Sequence, residues 1–302
     1  MITAAELLEQ RRSSGSRDDG HTLALSIEGG GMRGALSAGM GAELEEQGLV
    51  GLFDAVYGTS VGALSGAYLV TGQARLNVEF FADVAHQGKL FRSRPHLTKG
   101  LMDLDWLFDI GVDNMHPLDY EAVLNAAPSL HPLLTKAGWH RAADAQSRYS
   151  PDAQMLRRIL KGACRLPIAA GLPIGELRGG FWDAAQHEAW PMRSPVEAGV
   201  SRLVILRSTP EELSSRHGGS SFRKALSEAT GVAGGLITGS VGAVRYHAQA
   251  EQARQLEQAG RVFQIMPQRQ IVSSDERSAG KVIEAIEHGR FAARKALGQS
   301  GG

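Results

Sequence analysis

The alternation of apolar and polar residues predicts two successive strands, each followed by a helix. Leu23, Leu25 and Ile27 alternate with smaller residues, and the run Phe53–Tyr57 is a second strand pattern. Each strand runs into a glycine-rich turn and then into helical spacing. Two such units in succession are typical of a parallel sheet with helical crossovers, so we predict an α/β fold with a mainly parallel central sheet flanked by helices.

Further elements follow from weaker patterns. Residues 3–12 predict a short helix and 279–297 a final helix, and strand patterns occur at 180–182, 203–207 and 262–266. Prolines interrupt residues 75–165, which we expect to form a helical insertion or lid. The large apolar residues there would line an acyl pocket or pack in the core: Trp106, Leu107, Phe108 and Ile110. We expect residues 1–20 to be a flexible segment and 21–302 a single domain.

Composition and charge exclude several classes of protein. The 302 residues are 43% hydrophobic and 21% charged, which is ordinary for a globular chain. The 32 basic residues balance the 32 acidic ones, so the basic excess of a nucleic-acid binder is missing. A single cysteine, Cys164, cannot form an internal disulfide. We therefore expect a cytoplasmic protein, with membrane contact only at its surface.

Gly58-Thr59-Ser60-Val61-Gly62 matches the pattern G-x-S-x-G between a predicted strand and a predicted helix. This context indicates a nucleophile elbow, a turn so sharp that the serine side chain is forced outward. Ser60 would need a base, because a hydroxyl is a weak nucleophile near neutral pH. None of the histidines after it stands in a distinctive setting: His86, His96, His116, His131, His140, His187, His217, His247 and His288.

The turn after the first strand, Gly29-Gly30-Gly31-Met32-Arg33-Gly34, fits two mechanisms. One is a dinucleotide-binding loop, which would want an acidic residue at the end of the next strand. The other is an oxyanion hole, in which the amides of Gly30, Gly31 and Met32 converge on a developing negative oxygen. Arg33 would anchor the loop or add positive potential. A nucleophile elbow one strand later favours the oxyanion hole.

The two motifs together resemble the patatin-like phospholipases, which carry G-G-G-x-R/K-G, then G-x-S-x-G, then D-G-G/A. These are serine acyl hydrolases of a three-layer fold that use a Ser–Asp dyad without histidine. The resemblance implies that Ser60 is the nucleophile and that the glycine loop forms the oxyanion hole. The third motif is matched imperfectly by Asp183-Ala184-Ala185, with Pro191 eight residues later as in the family. Where the family has glycine, Ala184 would pay a steric cost for positive φ.

We therefore expect a lipid or acyl-ester hydrolase that needs no metal and no cofactor. We expect its substrate to be a lipid or an acyl ester. Any contact with a membrane would be peripheral, and we expect no binding to nucleic acid. The sequence leaves the oligomeric state open. Two alternatives are a non-catalytic nucleotide-binding protein that uses the glycine loop and, because of Ala184, a degenerate patatin-like scaffold.

Overall fold

A computed structural model describes residues 1–96, 100–136, 142–144, 152–166, 170, 181–211 and 246–298. Its main sheet has the strand order β6-β5-β2-β1-β8-β9, and β7 pairs with β5. These strands are β1 (Leu23–Ile27), β2 (Ala55–Thr59), β5 (Ser129–Lys136), β6 (Ala143–Asp144), β7 (Phe181–Asp183), β8 (Arg202–Leu206) and β9 (Val262–Ile265). A separate hairpin joins β3 (Phe91–His96) to β4 (Gly100–Met102).

The sheet is mainly parallel. The strand pairs β1–β2, β1–β8, β2–β5 and β8–β9 are parallel, whereas β6 and β7 run antiparallel to β5. The predicted α/β class is thus confirmed. Parallel strands need long crossovers, which the helices provide.

Helices cover the sheet on both faces. They are α1 (Ala4–Ser14), α2 (Gly34–Glu46), α3 (Val61–Val70), α4 (Ala74–Gln87), α5 (Leu104–Trp106), which continues as a wider π-helical stretch (Leu107–Met115), α6 (Tyr120–Leu124), α7 (Ala153–Ala163), α8 (Arg193–Glu197) and α9 (Ala279–Ala296). Residues 246–258 are also helical. Along β1, Leu25 and Ile27 join the larger core cluster with α2, α3, α4 and α9. Ala24 points to the smaller cluster around Trp190 on the other face.

The structure differs from the sequence predictions in two regions. Residues 75–165 are not a single helical insertion, because they contribute β6 at one edge of the main sheet and β5 between β6 and β2. Leu107 and Phe108 are buried in the core, whereas Ile110 is exposed. Within residues 1–20, the helix predicted at 3–12 is confirmed as α1, and buried Arg11 anchors it through ion pairs to Asp19 and Asp54, whereas we expected the segment as a whole to be flexible.

No described helix is long and apolar enough to cross a bilayer. The glycine-rich stretch of residues 229–244 lies outside the described residues.

Candidate active site

Ser60 lies at the turn between β2 and α3, and its backbone is strained. Its φ of 56° and ψ of −136° make it the one positive-φ residue other than glycine within the described ranges. Strain of this kind costs on the order of 1–3 kcal/mol and is concentrated at functional sites. A Cβ on Gly58 would collide with the backbone of Ala63, and one on Gly62 would collide with the carbonyl oxygen of Ile27. The predicted context of strand, sharp turn and helix is therefore observed around Ser60.

The register of the sheet brings Asp183 next to Ser60. On β5, Leu133 pairs with Thr59 of β2, and the next residue, Leu134, pairs with Asp183 of β7. Because β6 pairs with both Leu133 and Leu134, it must occupy the edge of β5 opposite to β2. β7 therefore lies on the same edge as β2, in line with it. Along this edge of β5, Asp183 lies one position beyond Thr59, at the point where the chain turns at Ser60 from β2 into α3.

Asp183 is fully buried, and Ser60 is 6% exposed. Burial raises the pKa of the Asp183 carboxyl to about 6, opposed by hydrogen bonding from the Ser60 hydroxyl and the Ala185 amide, which lower it. The Ala185 amide donates to Oδ1 at 2.8 Å. Oδ2 is buried and has no hydrogen-bond partner among the described residues. The structure thus places a carboxylate oxygen with spare acceptor capacity beside the serine hydroxyl.

Ala184 does not carry the steric cost that the sequence suggested. It begins a 3-10 turn, Ala184–Gln186, and is absent from the positive-φ residues. Its methyl group is fully buried in the smaller core cluster with Tyr57, Leu133 and Trp190. Alanine at this position therefore fills the core without straining Asp183.

The glycine loop packs directly against the elbow. A Cβ on Gly29 would lie 2.7 Å from the Thr59 carbonyl oxygen and 2.8 Å from the Ser60 Cβ. Gly30 and Gly31 have φ values of 149° and 59°, which glycine adopts without strain. A Cβ on Gly34 would lie 2.7 Å from Val61 Cγ1, so this glycine lets the loop approach α3.

Two of the loop amides already have partners. The Met32 amide donates to the Ser274 carbonyl at 3.0 Å, and the Gly29 amide donates to the Ala189 carbonyl at 3.3 Å. Within the described ranges, no hydrogen bond occupies the amides of Gly30 and Gly31. Of the three amides predicted as oxyanion donors, those of Gly30 and Gly31 therefore remain candidates and that of Met32 does not. Arg33 lies beside them, with Nε 3.1 Å from where a Cβ on Gly30 would be.

A buried polar network holds the start of this loop. Glu28, 1% exposed, pairs with Arg207 Nε at 3.1 Å and accepts hydrogen bonds from the Ser208 amide at 2.7 Å and the Tyr246 hydroxyl at 2.8 Å. The Ser208 hydroxyl donates to the Gly29 carbonyl at 2.9 Å. The Arg207 guanidinium stacks over the Trp190 ring at 3.7 Å. The network ties the loop to the end of β8.

The segment after the third motif connects all three parts of the site. The Glu188 carbonyl accepts from the Thr59 hydroxyl at 3.1 Å, and the next carbonyl, of Ala189, accepts from Gly29. The Glu188 carboxylate is itself fully buried and accepts from the Met192 amide at 2.7 Å. The elbow, the loop and Asp183 are therefore fixed relative to one another.

Sequence reasoning missed Glu28, Arg207 and Glu188 as parts of the site. A usable signal was present for two of them, because Glu28 and Arg207 are charged residues at the ends of buried, apolar strands. Such charges are expected to be paired. Cys164 is buried, and burial raises the pKa of its thiol, so it is not an activated nucleophile. Within the described ranges, no group of three His, Cys, Asp or Glu side chains could hold a metal ion.

Comparison with known proteins places this geometry in a family context. Residues 25–117, which include the glycine loop and the elbow, match the family model described as patatin-like phospholipase. "Uncharacterized protein YjjU" of Escherichia coli (strain K12) is 23% identical over 199 residues, or 63% of this chain and 53% of that protein. The chain thus spans about half the length of this curated relative.

The crystal structure of VipD from Legionella pneumophila has a similar fold. Its TM-score is 0.53 at 11% identity, and the match covers 92% of this chain and 67% of VipD. Identity this low is informative about the fold alone. Together with the motif match, these findings confirm the resemblance: the chain is patatin-like in sequence over residues 25–117, and its parallel sheet flanked by helices is the fold that this family implies.

Proposed function

We propose that this protein is a serine acyl hydrolase that cleaves lipid acyl esters, with Ser60 as nucleophile and Asp183 as its base. The observation that carries the proposal is the strand register that brings Asp183, at the end of β7, next to Ser60, at the end of β2, together with the hydrogen bonding between their side chains. A base is most useful when its pKa lies near the operating pH. Burial gives Asp183 a pKa of about 6, so near neutral pH it is ionised and still basic.

The proposed chemistry uses protein groups only. The Ser60 hydroxyl oxygen attacks the ester carbonyl carbon while its proton passes to Asp183. The Gly30 and Gly31 amides donate to the oxyanion, and each such donor contributes roughly 3–4 kcal/mol in comparable enzymes. The C–O bond then breaks, and the leaving alcohol takes the proton from Asp183. Water, deprotonated by Asp183, hydrolyses the acyl-serine and restores the hydroxyl.

A lipid ester is the substrate class that the patatin-like match supports. Contact with a membrane surface during the reaction, and a cytoplasmic location, belong to this proposal as well. The nucleotide-binding alternative is less well supported, because β2 ends at Thr59 and is followed by Ser60 rather than by an acidic residue. The scaffold alternative was based on an expected steric cost at Ala184, and the backbone of Ala184 is not strained.

Substituting Ser60 by alanine tests the proposal. We expect Ser60→Ala to lower kcat for a long-chain p-nitrophenyl ester, and fatty-acid release from phosphatidylcholine vesicles, by about 10³-fold or more. Ser65→Ala is the matched control, since Ser65 is a buried serine on α3, five residues after Ser60, and it should retain turnover. Full long-chain turnover by a folded Ser60→Ala variant would contradict the proposal.

A further inference from the structure

A second serine is joined to a histidine and an aspartate on the main sheet. The Ser129 hydroxyl oxygen lies 2.9 Å from His131 Nε2, and His131 Nδ1 lies 2.8 Å from Asp144 Oδ2. Ser129 and His131 are two residues apart on β5, so they share one face of the sheet. Asp144 comes from the neighbouring strand β6.

The chemistry of the contacts fixes the direction of these hydrogen bonds. An ionised carboxylate can only accept, so the proton on His131 belongs on Nδ1, facing Asp144. Nε2 is then an acceptor, and the Ser129 hydroxyl donates to it. A nucleophile, a base within reach and a third group that orients the base are the elements that activate a serine in hydrolytic triads.

The His131 ring is held in place. It stacks on the Tyr57 ring with centroids 4.5 Å apart and an interplanar angle of 16°, and the two residues are register partners on β5 and β2. The side chains of His131 and Asp144 are 19% and 17% exposed. The base is therefore immobilised by packing while a small molecule in solvent can still approach it.

This cluster is separate from Ser60. Ser129 pairs with Ala55 at the amino end of β2, whereas Ser60 follows the carboxyl end of the same strand. Five residues of strand correspond to roughly 16 Å. The two serines therefore face different surroundings and use different bases.

We propose that Ser129, His131 and Asp144 form a second nucleophilic site that reacts with small activated acyl or phosphonyl groups. The Ser129 oxygen attacks the carbonyl carbon or phosphorus, its proton moves to His131 Nε2, and the resulting imidazolium is stabilised by Asp144. The bond to the leaving group breaks, and in an ester the leaving oxygen takes the proton from Nε2. The Ser129 amide already donates to the Asp54 carbonyl at 3.4 Å, so it does not serve as an oxyanion donor here, and we expect slower reaction than at Ser60.

Covalent labelling of the full chain tests this site. The probe is a small dialkyl fluorophosphate, which loses fluoride on attack, and labelled peptides are mapped by mass spectrometry in the Ser60→Ala variant. We expect one added phosphoryl group on the peptide that contains Ser129. Ser201 is an internal control, because its hydroxyl donates to the Thr22 carbonyl at 3.0 Å, so its peptide should stay unmodified.

Two further variants in the Ser60→Ala background separate activation from simple exposure. We expect His131→Gln to slow labelling of Ser129 by about 100-fold or more, and Asp144→Asn to slow it as well. If His131→Gln does not fold, as judged by circular dichroism, Asp144→Asn carries the test. An unlabelled Ser129, or labelling at the same rate in the folded variants, would overturn the proposal. Neither result bears on Ser60, which the background variant has removed.

Discussion

Two serines of this protein stand next to possible bases, and their surroundings differ in almost every respect. Ser60 is nearly buried, has strained backbone angles and faces a fully buried carboxylate. Ser129 begins a regular strand and donates to a partly exposed imidazole. The first arrangement depends on burial and strain, which the surrounding fold must stabilise. The second depends on the orientation of the His131 ring, which Tyr57 and Asp144 hold in place.

The two serines are held in place by different kinds of contact. The Ser60 region is held by the Glu28–Arg207 network and by buried Glu188. At Ser129, the positioning comes from ring stacking between His131 and Tyr57. We therefore expect substitutions in the buried network to weaken the Ser60 site and the fold together, while leaving the chemistry at Ser129 unchanged in molecules that remain folded.

Arg207→Met gives the largest effect that we expect on the free energy of unfolding. It leaves the Glu28 carboxylate buried without its ionic partner, which we expect to lower the free energy of unfolding by about 3–5 kcal/mol. Arg254→Met is the control, because Arg254 pairs with Glu251 at an exposed position and its removal should cost less than about 1 kcal/mol. Urea unfolding at pH 7 measures both. Equal stability of the two variants would show that the network is not what holds the loop.

Gly31→Ala should lower ester turnover at Ser60 without changing the reactivity of Ser129. The new methyl group would collide with the Ser274 carbonyl oxygen and would need positive φ. We expect kcat for a long-chain ester to fall by about 10²–10³-fold, because the loop amides are displaced. Labelling of Ser129 should not change.

Gly48→Ala is the matched control for that substitution. Gly48 also has positive φ, but a Cβ there meets no atom within 4 Å. It should lose about 1 kcal/mol of stability and keep its turnover. Wild-type turnover in Gly31→Ala would show that the loop takes no part in the reaction.

The pKa of Asp183 predicts opposite effects of pH on stability and activity. Between its ordinary value of 3.8 and about 6, the folded protein binds more protons than the unfolded chain. The free energy of unfolding therefore falls as pH rises through this window, by up to about 3 kcal/mol. Activity should instead be lost as pH falls below about 6, because the base becomes protonated.

Asp183→Asn should remove this pH dependence and be more stable than wild type at pH 8. Urea unfolding at pH 5 and pH 8 measures it, with Asp144→Asn as a reference for replacing a partly exposed carboxylate. If the free energies of unfolding of the wild type and Asp183→Asn change equally with pH, the pKa of Asp183 is not raised in the folded protein.

The sequence predicted the elements that obey simple periodicity. β1, β2, the elbow and α9 lie within a few residues of the predicted positions, because their apolar residues follow strand or helix spacing. β5 was missed because Pro128 precedes it and Pro132 lies within it, and both appeared to break the pattern. Pro132 pairs with Gly58 inside the sheet.

The site was predictable only in part. Ser60 and the glycine loop lie in local motifs, and Asp183 was found through the family pattern. The contacts of Met32 with Ser274 and of Glu28 with Arg207 join residues far apart in the chain. Local spacing carries no information about such pairs. The raised pKa of Asp183 follows from its burial, which depends on the whole fold.

The most direct test of the central claim is the rate at which a long-chain alkyl fluorophosphonate labels Ser60 at pH 8 in wild type, Asp183→Asn and His131→Gln. The account predicts that the wild type and His131→Gln are labelled on the Ser60 peptide at the same rate, and that Asp183→Asn is slower by about 10³-fold. Undiminished labelling of Ser60 in a folded Asp183→Asn protein would contradict it.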